Sequence, residues 1–180
     1  MSREADPQQD SVYEWEGEWA AWNASIMSFD NCRRMIDTAC AHYGVRPPRV
    51  RMHKGKAWSY CLVSRALISL KQADNLNPAI ALHEAAHWIV WHLFGDRVQD
   101  HGPTFMGVYL WLLEAASVAP VEALHATARK HGLKWRHLPP TAVGKAVARL
   151  RDGLRAPRKP AHPRGPTLGT QAPRPRTAPR

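Results

Sequence analysis

Residues 78–94, Pro-Ala-Ile-Ala-Leu-His-Glu-Ala-Ala-His-Trp-Ile-Val-Trp-His-Leu-Phe, are apolar nearly all round a helix, yet carry His83, Glu84 and His87 at their centre. A helix with no polar face belongs inside a domain. Two histidines and a glutamate taken there without partners cost several kcal/mol. The chain must therefore wrap a core around this one segment and supply something for its polar groups to bind. The segment is also punctuated at both ends. Asn77 is an N-cap type followed by proline at the first helical position, and Gly95 stands where a C-terminal cap falls.

On such a helix, His83 and His87 lie on one face about 6 Å apart, able to chelate one metal ion while Glu84 projects beside it toward a water. With seven Glu and ten His in 180 residues, an H-E-x-x-H string arises by chance in roughly 2 of 100 shuffled chains, so the helical context carries the weight. The plainer reading is two core histidines bonded to backbone carbonyls. A zinc ion, Zn2+, satisfies both imidazoles at once. His92 points roughly 140–180° away from the pair and is expected to be a packing or rim residue.

A third ligand has to return from elsewhere. From His87 the helix climbs about 10 Å to Phe94, and seven more residues reach at most about 23 Å, enough to bring His101 back. Gly102 and Pro103 then open another helix, expected from Thr104 to about Ser117. Glu114 in that helix is the competing third ligand, because a His-His-Glu site takes its carboxylate from a following helix.

His83, Glu84 and His87, followed by His101, Gly102 and Phe105 with Pro103 between them, resemble the SprT-like zinc metallopeptidases and the small bacterial and phage metallohydrolases related to them. The likeness spans approximately residues 29–135 and outside the motifs is one of layout. It implies a zincin core with His83, His87 and His101 as ligands and Glu84 as catalytic base. Better-known members act on proteins crosslinked to or bound on DNA, and many carry a C-terminal cysteine zinc ribbon. Here the cysteines are Cys32, Cys40 and Cys61, with no C-x-x-C pair.

The length gives one compact domain plus tails. Four parts are expected: an acidic, Trp-rich segment over residues 1–27, the zincin-like domain over 28–138, a basic helix over 139–155, and a disordered Pro/Arg-rich tail over 156–180. In the first, Val12, Trp15, Trp19, Trp22 and Ile26 form one stripe at helical spacing, predicting a helix that docks on the core; covering the active site is the functional alternative. Phe29 to Tyr43 reads as a helix capped by Ser28 or Asp30, with Gly44 after it. Val50 to His53, Trp58 to Val63 and Ala66 to Leu70 suggest a short antiparallel sheet ahead of the metal helix. In zincins such a sheet borders the cleft, so its edge is a candidate for pairing with a peptide substrate. Pro120 to His131 reads as a further helix. The fold class expected is α+β.

Most of the net charge of +10 lies in the tail, where seven Arg and one Lys stand against one Asp from Arg151 onward. With seven prolines, that arm cannot bury a core. It is a candidate for sequence-independent nucleic-acid binding, or simply a solubilising tail. The polar, acidic residues Met1 to Asp10 are unlike a signal peptide, no apolar run reaches membrane-spanning length, and three irregularly spaced cysteines suit reduced thiols. These features predict a cytoplasmic protein without a membrane partner; they leave its oligomeric state open.

The expected activity is peptide-bond hydrolysis by Glu-assisted attack of a water held at zinc, with proteins or peptides, including DNA-associated ones, as substrates. Tyr109 and Tyr60 are candidates to stabilise the oxyanion. Two alternatives stand beside it. One is a non-catalytic nucleic-acid-associated or phage accessory protein with a structural zinc closed by a fourth ligand such as Glu114 or His53. The other is a zinc amidase acting on a non-peptide or cell-wall amide.

Overall fold

The computed structural model describes residues 6–19, 26–72 and 76–140. Among the described residues it is α+β, with five α-helices and a small three-stranded sheet. In chain order the elements are α1 (Gln9–Glu18), α2 (Phe29–His42), β1 (Arg49–His53), β2 (Tyr60–Leu62), β3 (Leu67–Lys71), α3 (Pro78–Phe94), α4 (Pro103–Ala115) and α5 (Val121–Lys130). The expected basic helix over 139–155, the tail over 156–180 and Trp22 lie outside the described residues, apart from the first two positions of that helix. No helix among the described residues is long and apolar enough to cross a membrane.

Local chemistry sets the bounds of the central helix. The Asn77 side chain accepts from the Ile80 N–H at 3.0 Å, Pro78 opens α3, and Gly95 ends it at φ +69°, a conformation side chains rarely adopt. Along α3, residues from Ala79 to Val90 are buried on nearly every side. It packs between α2 and α4, and α4 is itself buried from Thr104 to Leu113 apart from Trp111. Ser28 is the cap of α2, its hydroxyl accepting from the Asn31 N–H. Cys32 and Cys40 are buried in α2 and, like Cys61, are free thiols.

The sheet differs from the antiparallel one expected. Its order is β1-β3-β2: β2 runs antiparallel to β3, but β1 runs parallel to it, pairing Arg49 with Leu67 and His53 with Lys71. Burial explains the order. Leu67, Ile68, Ser69 and Leu70 are all buried, as a central strand requires, whereas β1 is largely exposed and suits an edge. The turn between β2 and β3 is a short 3-10 segment closed by Ala66 at φ +46°.

The N-terminal stripe docks only in part. Val12 and Trp15 are buried in the common core and Trp19 packs against it, but α1 stops at Glu18 and Ile26 stays 70% exposed. Met27 instead begins a new path, donating its N–H to the Leu76 carbonyl at 2.7 Å. A second close approach occurs at α4. The segment after α5 crosses Gly107 so tightly that a Cβ there would lie 1.8 Å from the Arg136 carbonyl oxygen.

Candidate metal centre

α3 presents His83 and His87 one turn apart, their rings 4.8 Å from centre to centre. After Gly95–Arg97 the chain turns back, and His101 enters the same space just before α4. The Nε2 atom of His83 lies 3.1 Å from that of His87 and 3.4 Å from that of His101. Among the described residues, His83, His87 and His101 are the one group whose side-chain donor atoms converge closely enough to hold a metal ion. Phe105, one turn into α4, lines the apolar side of the site, its ring 4.4 Å from His87, 5.0 Å from His101 and 5.2 Å from His83.

The hydrogen bonds behind the rings settle which nitrogens face inward as acceptors. His83 Nδ1 sits 2.7 Å from Glu16 Oε1, and His101 Nδ1 sits 2.6 Å from Asp6 Oδ2. A carboxylate only accepts, so each Nδ1 carries the proton, and in the neutral ring each Nε2 is left to offer a lone pair. Two lone pairs aimed at a common point repel unless a cation or a shared proton lies between them. For a tetrahedral ion with imidazole bonds of about 2.0–2.1 Å, ligand nitrogens stand about 3.3–3.4 Å apart, close to the two spacings that His83 makes with His87 and His101. The donor set therefore fits a metal ion.

Glu84, next to His83, is buried at 6% exposure. Burial pushes its carboxyl up to about 7, opposed by His83 and reinforced by the nearby charge of Glu16. Burial would also raise Glu16, but the charge and hydrogen bond of His83 outweigh it and hold Glu16 below its ordinary value. For His101, burial and then His83 lower the imidazole despite the Asp6 partner. β2 packs against α3, and there burial, reinforced by the charge of Glu84, raises the Cys61 thiol.

The chain matches no protein-family model, no curated protein and no solved structure. What the site can do rests on its own geometry.

Other candidates fall elsewhere. Glu114 pairs with His125, Oε1 to Nε2 at 2.6 Å, and does not join the three histidines. His53 has both ring nitrogens engaged, by the Ala57 carbonyl at 3.1 Å and the Ser69 hydroxyl at 2.9 Å. Tyr109 is fully buried, its hydroxyl donating to the Ala79 carbonyl at 3.3 Å. Tyr60 accepts from the Arg51 guanidinium at 3.0 Å. His92 is exposed at the rim against Trp88 and Trp91.

The contributions of Asp6, Gln8, Tyr13 and Glu16 were not foreseen. Gln8 donates to the His101 carbonyl at 3.0 Å and accepts from the Lys134 N–H at 2.7 Å, while the Tyr13 ring stacks on His83 at 5.9 Å. The available signal was that each metal-binding histidine needs a partner for its other nitrogen. Asp6 and Glu16 flank the apolar stripe that docks α1.

A second surface emerges only from the fold. Arg49, Arg51 and His53 share the outer face of the sheet with Ser69, Lys71 and Tyr60, as the Arg51–Ser69 and Arg51–Tyr60 bonds attest. Trp58 is 76% exposed beside them, with Lys71 Nζ 4.5 Å from its ring centre. From Arg46 to Lys71 the chain holds seven Arg or Lys and no Asp or Glu.

Proposed function

We propose that this chain is a zinc-dependent metallopeptidase of the zincin type, as its resemblance to the SprT-like enzymes implies. The observation that carries the reading is the convergence of the His83, His87 and His101 donor atoms within 4.8 Å of one another, with His83 Nε2 3.1 Å from His87 and 3.4 Å from His101 and Glu84 buried beside them. Three protein ligands leave one position open, the mark of a catalytic rather than a structural zinc. Zinc there would act as a Lewis acid and bring the acidity of water close to neutral.

The chain's own residues do the rest. Glu84, with a carboxyl poised near neutrality, takes the proton of the attacking water and hands it to the amine nitrogen as the C–N bond breaks. Phe105 keeps the imidazoles against an apolar wall. Neither tyrosine is assigned to the oxyanion: the Tyr109 hydroxyl already donates to the Ala79 carbonyl, and the Tyr60 hydroxyl is turned to the Arg51 guanidinium.

The substrates proposed are proteins associated with nucleic acid. Clustered cations on the exposed edge strand β1 and the turn after it would neutralise phosphates, and Trp58 gives a base something to stack on.

The test is zinc content and cleavage of an unfolded protein by wild type, Glu84→Gln and His101→Ala. One zinc per chain, retained without turnover in Glu84→Gln and lost in His101→Ala, is expected. Hydrolysis by Glu84→Gln at the wild-type rate would overturn the role of Glu84. Zinc without any cleavage would turn the assignment to a structural site or a different amide, and absence of zinc would end it.

A further inference from the structure

Asp6 and Glu16 come from a segment well separated in sequence from the three histidines, yet each reaches the rear nitrogen of a different one. Asp6 grips His101 twice, its Oδ2 accepting from the backbone N–H at 3.0 Å and from Nδ1 at 2.6 Å. That fixes both the chain path and the ring. Glu16 is aimed by α1, which is anchored on either side by buried Val12 and Trp15 and by Glu18, whose carboxylate meets Lys130 at 2.9 Å and His131 at 3.0 Å. Between them, Gln8 ties the His101 carbonyl to the segment at Lys134, and Tyr13 covers two of the imidazoles.

Such an arrangement exceeds what docking a helix requires. The other oxygen of Asp6 is buried with no hydrogen-bond partner among the described residues, a cost that a surface acid would avoid by facing water. The carboxylates stand instead where a charge behind the ring strengthens the imidazole as a ligand and locks its tautomer.

We propose that residues 6–19 are an integral part of the metal centre, with Asp6 and Glu16 as positioning residues for His101 and His83, so that metal loading and docking of this segment are reciprocally coupled. The inference rests on the reading that the three histidines hold a metal. Whatever factor docking contributes to metal affinity, metal must return to docking. Loss of a carboxylate behind a ligand histidine lowers metal affinity by about 10- to 100-fold.

The experiment compares the full chain with Asp6→Asn and Glu16→Gln, which keep the volume and an acceptor oxygen. Asp10→Asn is the control, altering an exposed acid on the same helix. Zinc affinity is measured by competition with a chromophoric chelator, melting temperature is measured metal-free, and hydrogen exchange of amides 9–18 is followed with and without zinc. The expected result is zinc weakened about 10- to 100-fold in Asp6→Asn and Glu16→Gln but not in Asp10→Asn, with amides 9–18 of the wild type more protected when zinc is bound. Variants that bind zinc as tightly as wild type while melting lower would show a purely structural segment and overturn the proposal. So would unchanged exchange in the wild type on adding zinc. A wild type that binds no zinc would instead bring down the metal-site reading itself.

Discussion

Trp15 donates its indole N–H to the Thr127 hydroxyl at 2.9 Å, joining the helix that carries Glu16 to α5. The Thr127 hydroxyl in turn donates to the Ala123 carbonyl at 2.8 Å. Replacing Thr127 by Val keeps the shape and removes the acceptor. The expected cost is about 1 kcal/mol in urea denaturation, and hydrogen exchange should show the loss concentrated in amides 9–18. A uniform loss across the domain would contradict the pinning role.

Gly107 has no room for a side chain. Gly107→Ala would drive a methyl group into the Arg136 carbonyl, so the segment from Leu133 to Leu138 must lift. Overpacking of this kind costs about 1–3 kcal/mol. The Tyr43 hydroxyl donates to the Leu138 carbonyl at 2.7 Å, and its ring should become more accessible to solvent, read by fluorescence quenching.

The rival third ligand has a clear outcome. Glu114→Gln should retain one zinc with wild-type affinity, because Glu114 is occupied with His125. His101→Ala should lose affinity by at least the factor of about 10–100 that attends even indirect disruption of a metal ligand. Chelator competition distinguishes the two, and the reverse pattern would make Glu114 the ligand.

The sheet face predicts a salt-sensitive interaction. Charge reversal of Arg51, Lys54 and Lys56 together should weaken binding of single-stranded nucleic acid. Removing about three phosphate contacts should flatten the slope of log affinity against log salt by about 2. Trp58→Ala should weaken binding by about 1–3 kcal/mol. Fluorescence anisotropy across a salt series measures both; unchanged slopes would shift the interaction to the Arg-rich tail.

These expectations divide according to how local their causes are. The limits of α3 were legible because Asn77, Pro78 and Gly95 act within a turn of themselves. The approach of His83 to His87 followed from helical spacing, and His101 required only enough chain to return. The strand order was not legible in the same way. It depends on β3 being buried on both faces, although its unbroken Leu-Ile-Ser-Leu run carried a hint of that. Asp6 and Glu16 read as ordinary acids beside an apolar stripe, and only the docked helix reveals what they face. The Pro/Arg-rich tail dominated the charge count and obscured the acid-free stretch around β1. Glu114 could be separated from His101 only once His125 was found beside it.

The bond from Gln8 to Lys134 spans 126 residues, and it has a consequence during synthesis on the ribosome. Asp6, Gln8 and Glu16 emerge first but have nothing to hold until the returning loop, α5 and the segment beyond it have followed. Contacts of such long sequence separation form late, after the entropy of closing the chain has been overcome. A nascent chain halted before Lys134 holds all three histidines but lacks the backbone that seats the segment aligning two of them, so the centre reaches its full form only when the domain is nearly complete.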